Sequence, residues 1–256
     1  MSSNESPSGK RIFLITTRPR EKFQELPRGE LALEIVNCPL TSMEEIKPDQ
    51  ETVSKIREFN PDVVVLTSEY GADIFFKQFL GSIDTGNVRF LAIGNSTARK
   101  IEEHGFKPEV PEAMDSMGIA GLIGRTVSEE KHIALFRSDS PNRSLDTFLE
   151  SRDYNFIDIA LYRISEVESP AMIEYIMDEK CYGVLLTSSK EARIFSKLVE
   201  KAGIRENLLK KVKLFPIGNT TSRTMEEIGL TPSEPRGKSD FEGLLKNISK
   251  KYADSK

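Results

Sequence analysis

Two near-duplicate stretches constrain the fold more than anything else in this chain. "FLAIGNSTAR" occupies Phe90–Arg99 and "LFPIGNTTSR" occupies Leu214–Arg223. The match extends outward on both sides. Val63–Gln78 (VVVLTSEYGADIFFKQ) lies against Gly183–Leu198 (GVLLTSSKEARIFSKL), and Val88–Gly105 lies against Val212–Gly229, with about half of the positions identical in each block. The offset is 120 residues in the first block and 124 in the second, so the second copy carries four extra residues between them. Pro108 continues the match at Pro232. Such a period is too long for a solenoid unit, and it marks a domain-sized duplication.

Both copies predict the same succession of elements. A β-branched run, Arg11–Thr16 or His132–Phe136, precedes a helical stretch and a second strand, Leu31–Val36 or Asn155–Ile164. After another helix come Asp62–Ser68 and Tyr182–Ser188. Each is a continuous apolar run ending in hydroxyls, as expected of a strand covered on both faces. Ala72, Phe75, Phe76 and Phe79 then recur at helical spacing. Strands at Phe90 and Leu214 lead into helices that end at Gly105 and Gly229. Alternating strands and helices predict an α/β protein: two homologous domains, each with a parallel sheet flanked by helices. Ligands of such sheets bind beyond the carboxyl ends of the strands. All the repeated polar motifs fall at that edge.

Those motifs are the candidate site. Gly94 with Asn95, Ser96 and Thr97, and Gly218 with Asn219, Thr220 and Thr221, join strand to helix. They read equally as helix caps and as anion sites, where first-turn N–H groups and the positive helix end attract carboxylate or phosphate. Thr67-Ser68 and Thr187-Ser188-Ser189 raise the same two readings. Thr17 and Arg18 end the first strand, with Pro19 suited to a first helical turn. Arg137, Ser138, Ser140, Asn142 and Arg143 form a polar, proline-bearing turn in the second copy, equally an anion site or ordinary turn chemistry. Tyr162 ends an apolar strand; facing a cleft, its phenol would be a proton donor, and packed amphipathically it would be structural.

Charge and motif content narrow the classes. Thirty-six Lys and Arg stand against 40 Asp and Glu, a net charge of −4, so no global basic field draws nucleic acid or an anionic membrane. An anionic ligand must be held by local groups. Cys38 and Cys181 have no metal spacing, which points to a reducing, cytoplasmic setting. The first ten residues lack the apolar core of a signal peptide and read as a short disordered tail. No dinucleotide turn, P-loop or nucleophile elbow occurs, and His104 and His132 read as structural.

The ordered set of Thr-Arg-Pro at 17–19, Thr-Ser at 67–68, Ala-Ile-Gly-Asn at 92–95, Leu161-Tyr162, the second Thr-Ser and Ile-Gly-Asn-Thr-Thr at 217–221 resembles the uroporphyrinogen-III synthase family. The resemblance runs from about Arg11 to about Ile248. It implies one discontinuous domain of 11–38 plus 166–256 and an inserted one of 39–165, joined by a two-stranded hinge with the active-site cleft between them. It implies closure of a linear tetrapyrrole polycarboxylate, hydroxymethylbilane, to uroporphyrinogen III, with inversion of the last pyrrole ring and loss of water. It further implies no cofactor and no metal, a monomer, and a substrate received from hydroxymethylbilane synthase. Tyr162 matches the residue expected to assist departure of the hydroxyl, and Thr97 and Thr221 match threonines near the site. The chain departs from the family pattern at Ser138, where glycine is usual, at Asn219, where proline is usual, and at Glu69, a charge beside a polycarboxylate. The residues alone also accommodate a two-lobed, hinge-closing binding protein or regulator for a small anion.

Overall fold

The computed structural model describes residues 11–23, 29–237 and 240–255, the side chains of residues 207, 209 and 210 excepted. The expected tail, residues 1–10, lies outside them. The described chain begins with β1 (Phe13–Thr16), β2 (Glu34–Asn37) and β3 (Thr41–Glu45). Then come α1 (Gln50–Phe59), β4 (Val63–Leu66), α2 (Glu69–Gln78), β5 (Arg89–Ala92), α3 (Asn95–Glu103), β6 (Pro108–Glu109) and α4 (Ser116–Thr126). Next are β7 (Ile133–Ser138), α5 (Ser144–Ser151), β8 (Phe156–Glu166) and α6 (Ala171–Met177). The last run is β9 (Cys181–Leu186), α7 (Ser189–Lys201), α8 (Arg205–Lys211), β10 (Lys213–Pro216), α9 (Asn219–Glu227) and α10 (Phe241–Ala253). After β1 the expected helix is, among the described residues, only a 3-10 turn at Arg20–Lys22.

Two compact units result. One joins the chain up to Ser42 with everything from Ser165 onward; the other is Met43–Ile164. The first holds a four-stranded sheet in the order β10-β9-β1-β2, all parallel. The second holds six strands in the order β3-β8-β7-β4-β5-β6, with parallel pairing from β8 through β6. The chain leaves the first unit within β3 and returns within β8, and these strands are neighbours in the six-stranded sheet.

The duplication reaches down to register. Val63 faces Arg89 across β4 and β5, and Gly183 faces Lys213 across β9 and β10, the same pair displaced by the two sequence offsets. The four extra residues fall between Leu198 and Val212, where α8 stands in place of the 3-10 turn Leu80–Ser82.

Alternation along the strands explains why both sheet faces are covered. Val64 and Leu66 join one core with Phe75, Phe76, Phe90 and Phe136; Val63 and Val65 join another with Ile119, Ile123 and Leu149. In the first unit Phe13, Ile15, Val184 and Leu186 point into one core, and Leu14 and Leu185 into the opposite one. Period-2 side chains on a strand must do this when helices lie on each face. Ala72, Phe75 and Phe76 on α2 and Phe79 at its C-cap are all buried, as their spacing predicts. Gly105 and Gly229 follow α3 and α9 at φ of +83° and +71°, a left-handed conformation that favours glycine. His104 stacks on Phe76 and His132 on Phe59, so both histidines serve packing.

Candidate functional site

The carboxyl edge of the six-stranded sheet carries a cavity of about 230 Å³. Thr67, Ile93, Ser116, Arg137, Ser138, Ser140, Pro141, Asn142, Leu145 and Tyr162 line it. Six residues named from sequence therefore meet here: Thr67, Tyr162, and Arg137, Ser138, Ser140 and Asn142 of the polar turn. Ser116 and Ile93 were not foreseen. Asp115 caps α4 through the Gly118 amide at 2.8 Å, and this fixes the start of the helix that presents Ser116.

A bulge aims Tyr162. Along β7 and β8, Arg137 pairs with Ala160 but Ser138 pairs with Tyr162, so one extra residue enters β8. Burial alternates up to Leu161 and then breaks, with Leu161 and Tyr162 buried in succession. A bulge re-aims a side chain in this way. The Tyr162 ring meets Tyr70 edge-on at 5.1 Å, and its Oη lies 2.9 Å from Ser68 Oγ. Burial pushes the Tyr162 phenol above its ordinary pKa, and the hydrogen bond with Ser68 offsets part of that. The phenol is protonated at neutral pH.

Arg137 sits differently from the expectation of a ligand-holding arginine. It is 3% exposed. Its guanidinium donates to Asp158 through Nε at 2.9 Å and Nη2 at 2.5 Å, and to Asp146 Oδ1 at 2.6 Å. Burial pushes the Asp146 carboxyl up, but Arg137 outweighs it and holds the group below the usual carboxylate range. Arg137 frames the cavity with its charge already paired to two carboxylates. Arg143, at the start of α5, is exposed and lies near Asp146 and Glu150.

The duplicated turns separate into two kinds. Ser68 and Ser188 are true N-caps: each accepts an amide from the first turn, Gly71 at 2.9 Å and Glu191 at 3.1 Å. At α3 and α9 the cap positions are Gly94 and Gly218, with no side-chain hydrogen bond to the helix end. Asn95, Ser96, Asn219 and Thr220 flank these ends, while Thr97 and Thr221 are buried at 1% and 4%. Ser96 and Thr220 are exposed and Asn95 and Asn219 lie beside them, so these four, rather than the two threonines, border the helix ends.

In the first unit the strand-end hydroxyls surround a carboxylate. Glu191, 2% exposed, accepts from Thr17 Oγ1 at 2.5 Å, Thr41 Oγ1 at 3.1 Å, and the Thr187 Oγ1 and amide at 2.6 and 3.0 Å. Thr17 is wholly buried in this cage. Arg18 donates Nε–H to Lys22 O and lies 4.3 Å over the Phe241 ring. Ser189 bridges to α9, contacting Thr224 and the Thr220 carbonyl. Glu191→Ala leaves the Thr41 and Thr187 hydroxyls without their acceptor, and leaves Thr17 Oγ1 and the Thr187 amide only their longer 3.3 Å bonds to Leu185 O and Thr17 Oγ1. It should lower stability by roughly 3 kcal/mol or more, read as a lower urea midpoint; an unchanged midpoint would refute the cage.

Among the described residues no group of three or more His, Cys, Asp or Glu is placed to hold a metal ion, and no helix is long and apolar enough to cross a membrane. The family model described as uroporphyrinogen-III synthase HemD matches residues 26–246. A curated relative from Methanothermobacter thermautotrophicus, whose name assigns it provisionally to uroporphyrinogen-III synthase, is 30% identical over 186 residues, 68% of this chain and 72% of its own length. A crystal structure of a mutant uroporphyrinogen III synthase from the extreme thermophile Thermus thermophilus is similar with a TM-score of 0.66 at 17% identity, covering 95% of this chain and 98% of that one. The structure of the Helicobacter pylori uroporphyrinogen-III synthetase gives 0.60 at 17% identity, covering 95% and 99%. The structures carry the fold, the family match carries the assignment, and together they make this chain a member of the uroporphyrinogen-III synthase family.

Proposed function

We infer that this chain closes hydroxymethylbilane to uroporphyrinogen III, inverting the last pyrrole ring and releasing water. The observation that carries the reading, within this family, is the Tyr162 phenol: protonated, anchored by Ser68, and lining a cavity at the carboxyl edge of its sheet. It is the donor to the departing hydroxyl. Thr67, Ser138, Ser140 and Asn142 supply neutral polar contacts to the carboxylate arms, and Ile93, Pro141 and Leu145 supply apolar surface for a pyrrole face. The N-terminal end of α3, with Asn95 and Ser96, attracts further carboxylates through first-turn amides and the helix dipole.

This distribution suits the reaction. A linear tetrapyrrole is flexible and also closes without a catalyst, but to the uninverted isomer. The main task is to hold one conformation long enough for the inverted closure. Many modest contacts achieve that better than one strong electrostatic clamp, which would bind ground and transition states alike.

Several finer assignments belong to the same reading. The chain works in the cytoplasm as a monomer and takes its substrate from hydroxymethylbilane synthase. A reducing compartment fits Cys38 and Cys181, two buried free thiols pushed up by burial to about 11 and about 12 and so inert as nucleophiles. Hydroxymethylbilane generated in situ tests the function. The chain should consume it faster than it closes spontaneously. A hinge-closing binding protein would retain the compound without accelerating its loss, and that result would overturn the assignment.

A further inference from the structure

We propose that Ser68 is a positioning residue that keeps the Tyr162 proton available for transfer, and that the absence of a side chain at Gly71 is what admits the phenol to it. The proposal rests on the reading of Tyr162 as donor to the departing hydroxyl.

The duplication exposes the device. In the aligned repeats Gly71 corresponds to Glu191. Both follow a serine that caps the next helix, Ser68 in one copy and Ser188 in the other. In the β9–α7 turn Glu191 folds its carboxylate among the threonine hydroxyls and closes the edge. In the β4–α2 turn the corresponding position has no side chain, and the Tyr162 ring approaches it. A Cβ at Gly71 would lie 2.9 Å from Ser68 Oγ, 3.4 Å from Leu161 Cδ1 and 3.5 Å from Tyr162 Cε1. The first distance is too short for a real contact, so a larger residue shifts the serine hydroxyl from its present position beside Tyr162. One copy of the turn has become a closed structural cage, and the other an opening that holds a phenol.

Ser68 Oγ accepts the Gly71 amide at 2.9 Å, which occupies one of its two lone pairs. Its proton and the second lone pair both remain for the 2.9 Å contact with Tyr162 Oη, in which either oxygen can donate. In the proposed reactive arrangement Ser68 donates to Tyr162 Oη, and Tyr162 directs its own proton to the cavity side. In the reaction that proton moves to the oxygen of the hydroxymethyl group. The carbon–oxygen bond breaks with its electrons going to oxygen, water leaves, and the methylene carbon becomes electrophilic. The Ser68 O–H meets the negative charge left on Tyr162 Oη. The proton later lost from the pyrrole carbon that forms the new carbon–carbon bond restores the phenol. Burial alone would make that charge costly, and the serine bond opposes the burial.

The test is a double-mutant cycle on kcat. Ser68→Ala should lower kcat by roughly tenfold or more with KM little changed, the size expected for a hydrogen bond to a charged group. In a Tyr162→Phe background the same substitution should cost nothing further. Ser68→Thr, which keeps hydroxyl and cap, should recover most of the activity, and Gly71→Ala should mimic Ser68→Ala. Asp49→Ala, which removes the cap of α1 through Thr52, controls for cap loss and should leave kcat unchanged. An equal loss from Ser68→Ala in both backgrounds would mean that Ser68 only caps α2, and would overturn the proposal. So would wild-type kcat in Ser68→Ala beside a slow Tyr162→Phe. Wild-type turnover by Tyr162→Phe would instead refute the donor assignment itself.

Discussion

Tyr162→Phe should lower kcat by about 10²–10⁴-fold, the range for losing a positioned general acid. KM should move little, because the polar lining and the apolar wall of the cavity stay in place. The variant should fold. Phenylalanine keeps the ring that packs with Tyr70 and loses only the bond to Ser68, about 1 kcal/mol. Steady-state rates with hydroxymethylbilane made in situ, together with circular dichroism of the variant, separate the two effects. Undiminished kcat would remove Tyr162 from the chemistry. A variant that unfolds would show that the hydroxyl serves the core instead.

Arg137→Ala should destabilise the 43–164 unit by about 3–5 kcal/mol, the penalty for removing one partner of a buried ion pair. The substitution leaves Asp146, 2% exposed, without its buried cation, and Asp146 Oδ2 already has no hydrogen-bond partner. It also frees Asp158 on the neighbouring strand. Arg137→Lys keeps the charge but loses the planar fork that serves two carboxylates at once, so it should recover only part of the loss. Urea unfolding, with hydrogen exchange at the β7 and β8 amides, is the readout. A midpoint equal to wild type would contradict the structural role.

The same cluster gives a pH dependence with a defined sign. Asp146 has a folded-state pKa held below its unfolded value. Its contribution is therefore present above the unfolded carboxylate value of about 3.9 and is lost as pH falls through the lower folded value. Acid should weaken wild type more than Arg137→Ala, which lacks the largest of the contributions that lower the Asp146 pKa. Equal acid sensitivity of the two would contradict this.

Much of the fold was legible because the duplication repeats every signal. Buried strands ending in Thr-Ser, the Gly-Asn turns and the glycines after α3 and α9 occur twice, and the register of β4 on β5 recurs as β9 on β10. The cavity lies at the carboxyl edge that strand–helix alternation picks out. What was illegible depended on distant partners. Arg137 reads as a free cation until β7 is aligned on β8: Leu135 faces Asp158, so Arg137, two residues on, shares a face with that carboxylate. An acidic residue inside the apolar run "NFIDIALY" was the available signal. The Gly71–Glu191 mismatch is visible in the aligned repeats, but its meaning needs Thr17 and Thr41, which are more than a hundred residues away from Glu191. The bulge at Leu161–Tyr162 has no local signature, since both residues suit either register. Thr97 and Thr221 look like exposed cap hydroxyls beside a glycine. Their third-residue position in α3 and α9 turns them inward instead.

The isomer formed tests the central claim most directly. Hydroxymethylbilane generated in situ is incubated with the chain, and the products are oxidised and separated by chromatography. Uroporphyrin III should form in excess over the uninverted isomer, with the excess reduced in Tyr162→Phe. Uroporphyrin I alone, at the proportion found without the chain, would contradict that claim.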